Sequence, residues 1–226
     1  MPGPERIPTG IPGLDQVLGG GWIKGGFIVL SGGTGTGKTT LTVQSVYYMA
    51  MNLGMKGYIA SFEEGREALE KYMSTYGWDL KKLEEMGLIK IEDYFGVYRE
   101  GLSDLLSYMI TRALEFRASI MVIDSISTML FYAKEKADAR TLLDALKKIK
   151  PSDMTILATS NVLDTNRSKA GIEEIIADML IYLDNVMVGD ELRTRLLVVK
   201  ARGGRHSRKF HQVVFTSKGA EVIGWV

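Results

Sequence analysis

Gly32, four intervening residues, and then Gly37, Lys38 and Thr39 lie within FIVLSGGTGTGKTT, residues 27–40. Glycines at such positions admit the positive φ angles that turn successive backbone N–H groups inward, and a helix starting there adds donors and partial positive charge. The chemistry expected is capture of a nucleoside triphosphate. Amides of Gly33, Thr34, Gly35, Thr36 and Gly37 would wrap the phosphates, and Lys38 would reach the β- and γ-phosphates. Thr39 would ligate Mg²⁺, and Thr40 would donate to the α-phosphate. A glycine-rich turn with an accidental Lys-Thr is the plain alternative. The apolar run before the loop and the helix-compatible run after it favour phosphate binding.

Acidic side chains stand where such a site needs them. Residues 120–123 form a continuous apolar run, the pattern of a strand buried on both faces, and deliver Asp124 at its carboxyl end. This Walker B arrangement would hold the Mg²⁺ shell through water. Residues 57–62 read as another strand, followed by Glu63 and Glu64. Ligands of open α/β sheets gather beyond the carboxyl ends of parallel strands, so a carboxylate there could orient an attacking water. Acids opening a helix explain the pair as well, and position alone leaves both readings open. Thr159, Ser160 and Asn161 end the strand at 155–158, either as γ-phosphate sensors or as turn residues. Lys200, Arg202, Arg205, His206, Arg208 and Lys209 make the densest basic cluster, on a glycine-hinged loop. It suits a solvated turn, a nucleic-acid patch, or cations delivered to a neighbouring subunit's nucleotide.

The elements that must position these groups alternate between strand and helix patterns. A short apolar helix pattern at Leu14, Val17 and Leu18 precedes the loop, and a buried helix at 39–51 follows it. Helices are expected at 67–76, with Leu69, Tyr72, Met73 and Tyr76 inward, and at 102–116, with Leu105, Leu106, Met109, Ile110 and Ala113 inward. Another is expected at 134–150, with Ala139, Leu142, Leu143, Leu146 and Ile149 inward and a solvated KKIK end. Residues 89–94 read as a short strand. Strand runs at 179–183, 195–200, 209–215 and 220–223 have no helical pattern between them, which implies an antiparallel extension of the sheet. The expectation is one α/β domain over residues 1–226: a mainly parallel sheet flanked by helices.

Composition narrows the function classes. The 226 residues are 46% hydrophobic and 24% charged, with a net charge of +1. No apolar run is long enough to span a bilayer and no secretory core is visible, so a cytoplasmic protein is expected. The lack of cysteine removes disulfides, thiolate metal sites and cysteine nucleophiles. His206 and His211 cannot make a zinc site alone. Near-neutral charge gives no global pull toward nucleic acid.

Together, PTGIPGLDQVLGGG, GGTGTGKTT, SFEE with YGWDL, MVIDS, GIEEIIADMLIYL and KARGGRHSRKF give a chain that resembles the KaiC-like branch of the RecA superfamily over almost its whole length. The resemblance implies a RecA-like ATPase using ATP and Mg²⁺, assembled as a homo-oligomer, commonly a hexameric ring with ATP between subunits. It implies that Glu63 and Glu64 are the catalytic glutamate pair, the first matching the single glutamate of RecA-type recombinases. It also implies that Lys200 and Arg202 reach the neighbour's γ-phosphate, that His206 lines the same nucleotide, and that Thr75 lies close to it. One clock-type member of the family carries two such domains, and its second one autophosphorylates a Ser-Thr pair. The matching region here reads Gly171-Ile172-Glu173-Glu174, as in the hydrolytic first domain, so autophosphorylation there is not expected. The competing class is a recombination-accessory or signalling module that binds DNA or a protein partner and uses ATP as a conformational ligand. The glutamate pair and YGWDL weigh against it.

Overall fold

A computed structural model describes residues 3–94, 102–131, 136–161 and 171–224. In chain order, strands β1 (Arg6–Ile7) and β2 (Trp22–Ile23) pair antiparallel around helix α1 (Leu14–Leu18). There follow β3 (Phe27–Gly32), α2 (Lys38–Leu53), β4 (Gly57–Ser61), α3 (Arg66–Ser74), α4 (Leu80–Glu85), β5 (Ile89–Asp93), α5 (Leu102–Glu115), β6 (Ile120–Asp124), α6 (Ile126–Leu130) and α7 (Lys136–Ile149). The chain continues with β7 (Thr155–Asn161), α8 (Ile172–Ile176), β8 (Met179–Val188), β9 (Glu191–Ala201), β10 (His211–Thr216) and β11 (Gly219–Gly224).

The main sheet has nine strands in the order β11-β10-β9-β8-β3-β7-β6-β4-β5. From β8 through β5 every neighbour is parallel, while β9, β10 and β11 are antiparallel to theirs. The expected α/β fold with an antiparallel C-terminal extension is therefore present. β3, β4 and β6 are buried at every position, as strands covered on both faces must be. Period-2 alternation splits β3 between two cores. Ile28 and Leu30 pack with Leu41, Val46 and Met49 of α2, whereas Phe27 and Val29 pack with Met109 and Ile110 of α5 and Leu143 of α7. Each such fully buried side chain contributes roughly 1.5–3 kcal/mol. The consequence for function is directional: β3, β4, β6 and β7 all deliver their carboxyl ends to one rim of the sheet.

Three local expectations are corrected. In α3 only Leu69 and Met73 are buried; the helix stops at Ser74, Tyr72 faces solvent, and Tyr76 stacks on Trp78 beyond the helix end. Ile149, at the last turn of α7, is exposed rather than inward. The basic end of α7 is not a solvated face throughout. Lys150 is buried and donates to the carbonyls of Gly25 (2.6 Å) and Pro151 (3.2 Å), and Lys147 donates to Ile176 O (3.0 Å) and pairs with Asp178 (2.8 Å). Their aliphatic stems lie along the core while the ammonium groups satisfy carbonyls, which only the third dimension reveals. Residues 134 and 135 of that expected helix lie outside the described residues.

Candidate functional site

The loop between β3 and α2 is built by its glycines. Gly35 and Gly37 take φ of 75° and 82°, and a Cβ at Gly37 would lie 2.1 Å from the Phe215 ring, so a side chain there is excluded on two counts. A Cβ at Gly33 or Gly35 would meet nothing within 4 Å, so the cradle is unobstructed beside both residues. The Thr36 hydroxyl closes the turn by donating to Gly33 O at 2.8 Å. Lys38, the first residue of α2, is buried, and its ammonium donates to Gly32 O (3.0 Å) and Gly33 O (2.8 Å). Burial lowers its pKa, against the opposing pull of Asp124 and Glu63. Thr34 is exposed and Thr39 and Thr40 are half-buried at the helix start.

Asp124 ends β6 almost fully buried, and accepts hydrogen bonds from the hydroxyls of Thr159 and Thr39. Burial pushes its carboxyl pKa up; the two hydroxyls pull the other way. A buried carboxylate tied to the helix-start threonine fits Mg²⁺, which takes one or two carboxylates and completes its shell with water and phosphate oxygens. Among the described residues no group of three His, Asp or Glu forms a dedicated metal cage.

Glu63 and Glu64 leave the end of β4 and enter the same rim. One oxygen of Glu63, Oε1, accepts from Ser125 Oγ (2.5 Å), Asn161 Nδ2 (2.6 Å) and Thr128 Oγ1 (2.8 Å). Three donors on one oxygen fix the carboxylate's direction. Glu64 is half-buried and its pKa is raised by burial, then by Asp124 and Glu63; its carbonyl accepts from Ser61 Oγ at 2.6 Å. Within the polar end of β7, Asn161 holds Glu63, Thr159 holds Asp124, and Ser160 donates to Glu173 at 2.6 Å.

The remaining candidates lie elsewhere. β8 runs parallel to β3 and β9 runs back, so Lys200 is in register with Leu180 and Leu180 with Val29, three residues before Gly32. Lys200 and Arg202 thus sit toward the amino ends of the parallel strands, away from their own chain's phosphate loop. Lys200 donates to Ile175 O (3.0 Å) and Glu174 O (3.4 Å); Arg202 is largely exposed, 3.5 Å from Asp178. His206 places Nδ1 2.8 Å from Ser207 O, and Thr75 caps α3 by donating to Tyr72 O at 2.6 Å. Among the described residues, none of these four bonds to the phosphate loop.

Sequence reasoning missed Ser125 and Thr128, the hydroxyls that orient Glu63. The signal was present as Ser125 followed three residues later by Thr128, for Ser125 caps α6 by accepting from Thr128 N. It also missed Phe215 over Gly37, and Asn185, whose amide donates to Gly35 O at 3.4 Å. Both come from the C-terminal strands, far from the loop in sequence.

A family model described as "ATPase: KaiC" matches residues 7–225. A UPF0273 protein of Thermotoga maritima is 33% identical over 95% of this chain and 94% of its own length. A circadian clock oscillator protein KaiC of Thermostichus vulcanus is 30% identical over 96% of this chain but only 42% of its own length. Among solved structures, a KaiC-like protein of Pyrococcus horikoshii superposes with a TM-score of 0.86 at 33% identity, covering 96% of this chain and 98% of that one.

Proposed function

Because the chain belongs to the KaiC family of ATPase domains, we propose that it binds ATP with Mg²⁺ and hydrolyses it at the interfaces of a homo-oligomeric ring, in a regulatory or signalling role. The observation that carries this reading is the convergence, on one rim of the sheet, of Lys38 and the open glycine cradle with Asp124, Glu63 and Glu64. The loop amides and Lys38 bind the phosphates and oppose the charge that develops on them. Mg²⁺, held by Thr39 and Asp124, would neutralise charge on the β- and γ-phosphate oxygens. Glu63, fixed by Ser125, Thr128 and Asn161, orients water for in-line attack. Glu64, whose raised pKa brings it nearer to neutrality, is suited to take up the water's proton.

Lys200 and Arg202 lie toward the amino ends of the parallel strands, a place that suits cations completing a neighbour's site, with His206 and Thr75 lining the nucleotide. Such a head-to-tail contact makes a ring when its rotation closes. The test pairs light scattering with an ATPase assay, with and without Mg-ATP. Mg-dependent phosphate release from an oligomer is expected. A monomer that hydrolyses at full rate removes the interfacial site, and an oligomer that binds ATP with no turnover removes hydrolysis.

A further inference from the structure

Two carboxylates of the short helix α8 are not used by the proposed chemistry, yet both reach the rim that carries it. Glu173 is buried and accepts from Ser160 on β7; Glu174 accepts from the hydroxyl of Ser31 on β3, the residue immediately before the phosphate loop. Ser31 and Ser160 face each other in register on adjacent strands. α8 is therefore clamped at its start to the two strand ends that flank the loop. The backbone carbonyls of Glu174 itself and of Ile175 accept from Lys200 Nζ. A helix of five residues spans only about 7 Å, so a single turn joins the Ser31 contact at the phosphate loop to the Lys200 contact.

The two lysines share a second property. Lys38 directs its ammonium to the carbonyls of Gly32 and Gly33, next to Ser31, and Lys200 directs its own to the last carbonyls of α8. An ammonium has three N–H donors, and two of each are engaged here, so Lys38 reaching oxygens of both the β- and γ-phosphates must give up at least one of its carbonyls. Loss of the Gly32 or Gly33 contact acts on the segment Ser31 anchors, and a shift of Lys200 acts on the Glu174 and Ile175 carbonyls of the helix that Ser31 holds.

We propose that Ser31 and Glu174 are positioning residues that couple a subunit's own phosphate loop, through α8, to the Lys200 it offers to the next subunit. This rests on the reading that Lys200 serves a neighbour's nucleotide. ATP bound in one subunit would then set the reach of the cation completing the adjacent site, so successive sites would not act independently.

A double-mutant cycle on the full-length protein tests it. Turnover at saturating Mg-ATP is measured for the wild type, Ser31→Ala, Lys200→Ala and the double variant. Ser31→Ala should cut kcat by roughly 5- to 150-fold, the range of ordinary site-to-site coupling, and in the Lys200→Ala background it should cost less than about twofold. Equal losses in both backgrounds would assign Ser31 to its own loop and overturn the coupling, as would full activity of Ser31→Ala. If Lys200→Ala alone turns over like the wild type, the reading of Lys200 as an interfacial cation fails first and takes this proposal with it. Glu174→Gln repeats the cycle from the other side of the hydrogen bond should Ser31→Ala fold poorly.

Discussion

Asp124 is a carboxylate that the fold keeps out of water, compensated by two threonine hydroxyls and, more weakly, by Lys38. Its pKa is raised, so the folded chain favours the protonated form more than the unfolded chain does. The associated stability is present below the ordinary carboxylate range and lost as pH rises through the elevated value. Asp124→Asn should therefore stabilise the nucleotide-free protein at neutral pH by about 1–3 kcal/mol, the cost of an imperfectly satisfied buried polar group. That gain in Tm should vanish in acid, while Mg-dependent turnover falls sharply. A thermal scan against pH checks the first part, and an unchanged metal dependence would reduce Asp124 to a turn residue. Glu64 makes a separate prediction. Its pKa is likewise raised, by burial, Asp124 and Glu63, so it loses proton-accepting capacity as pH falls through that raised value. The acid limb of the kcat profile should lie there and disappear in Glu64→Gln. Glu63→Gln should lower kcat more, by about 10²–10⁴, with ATP still bound. A Glu64→Gln profile that keeps its acid limb would remove Glu64 as the base.

Among the elements, the two outer strands are closed by side chains rather than by further strands. On β5, Ile91 donates to Glu84 (2.8 Å) and accepts from Arg66 (2.5 Å), and Arg66 and Glu84 pair at 2.9 Å. On β11, Ala220 exchanges two hydrogen bonds with Gln44, and Val222 donates to Pro12 O at 2.8 Å. Such capping denies another chain a free ladder. α5 is fastened to the β5 side through Glu92, which accepts from Arg112 (2.8 and 3.0 Å) and Tyr58 (2.6 Å) and pairs with Lys90 (2.9 Å). Burial would raise this carboxyl, but those partners hold it down, from 4.5 to about 2. Its contribution is full above 4.5 and is lost as pH falls toward 2. Glu92→Gln should cost about 1–3 kcal/mol at neutral pH, as expected when one partner of a buried polar group is removed. The difference in Tm from the wild type should close near pH 2. A gap that persists there would mean that packing, not charge, holds α5.

At the scale of the whole molecule, the register of β3, β8 and β9 separates Lys200 and Arg202 from the loop of their own chain. Arg202, largely exposed, is 3.5 Å from Asp178. If it serves a neighbour, Arg202→Ala should leave ATP binding intact and cut turnover by about 10³–10⁵, the range for cation fingers in phosphoryl transfer. Mixing Arg202→Ala subunits with Glu63→Gln/Glu64→Gln subunits should restore activity, because some interfaces then join an intact glutamate pair to an intact cation. Labelled protein establishes that subunits exchange. Exchange without recovery would place the cation's action within its own subunit and dissolve the ring mechanism.

The phosphate loop, the Asp124 strand and the parallel α/β order were legible in the chain itself, because each depends on local rules. Glycines set loop φ angles, a doubly buried strand must be apolar throughout, and strand-helix alternation forces parallel pairing. The antiparallel tail was legible for the same reason, since no helical pattern lies between its strands. Local pattern could not say which polar groups meet across strands. The Ser125-to-Thr128 spacing sets those two hydroxyls together at the start of α6, but nothing in spacing brings them and Asn161 to one oxygen of Glu63, or Ser31 to Glu174, groups that meet through the neighbouring of β3, β7, β6 and β4. The burial of Lys150 and the exposure of Ile149 were decided in the same way, by what the sheet and α7 leave between them. Side-chain periodicity reports a face, whereas hydrogen-bond partners are set by register and strand order, which belong to the folded chain alone.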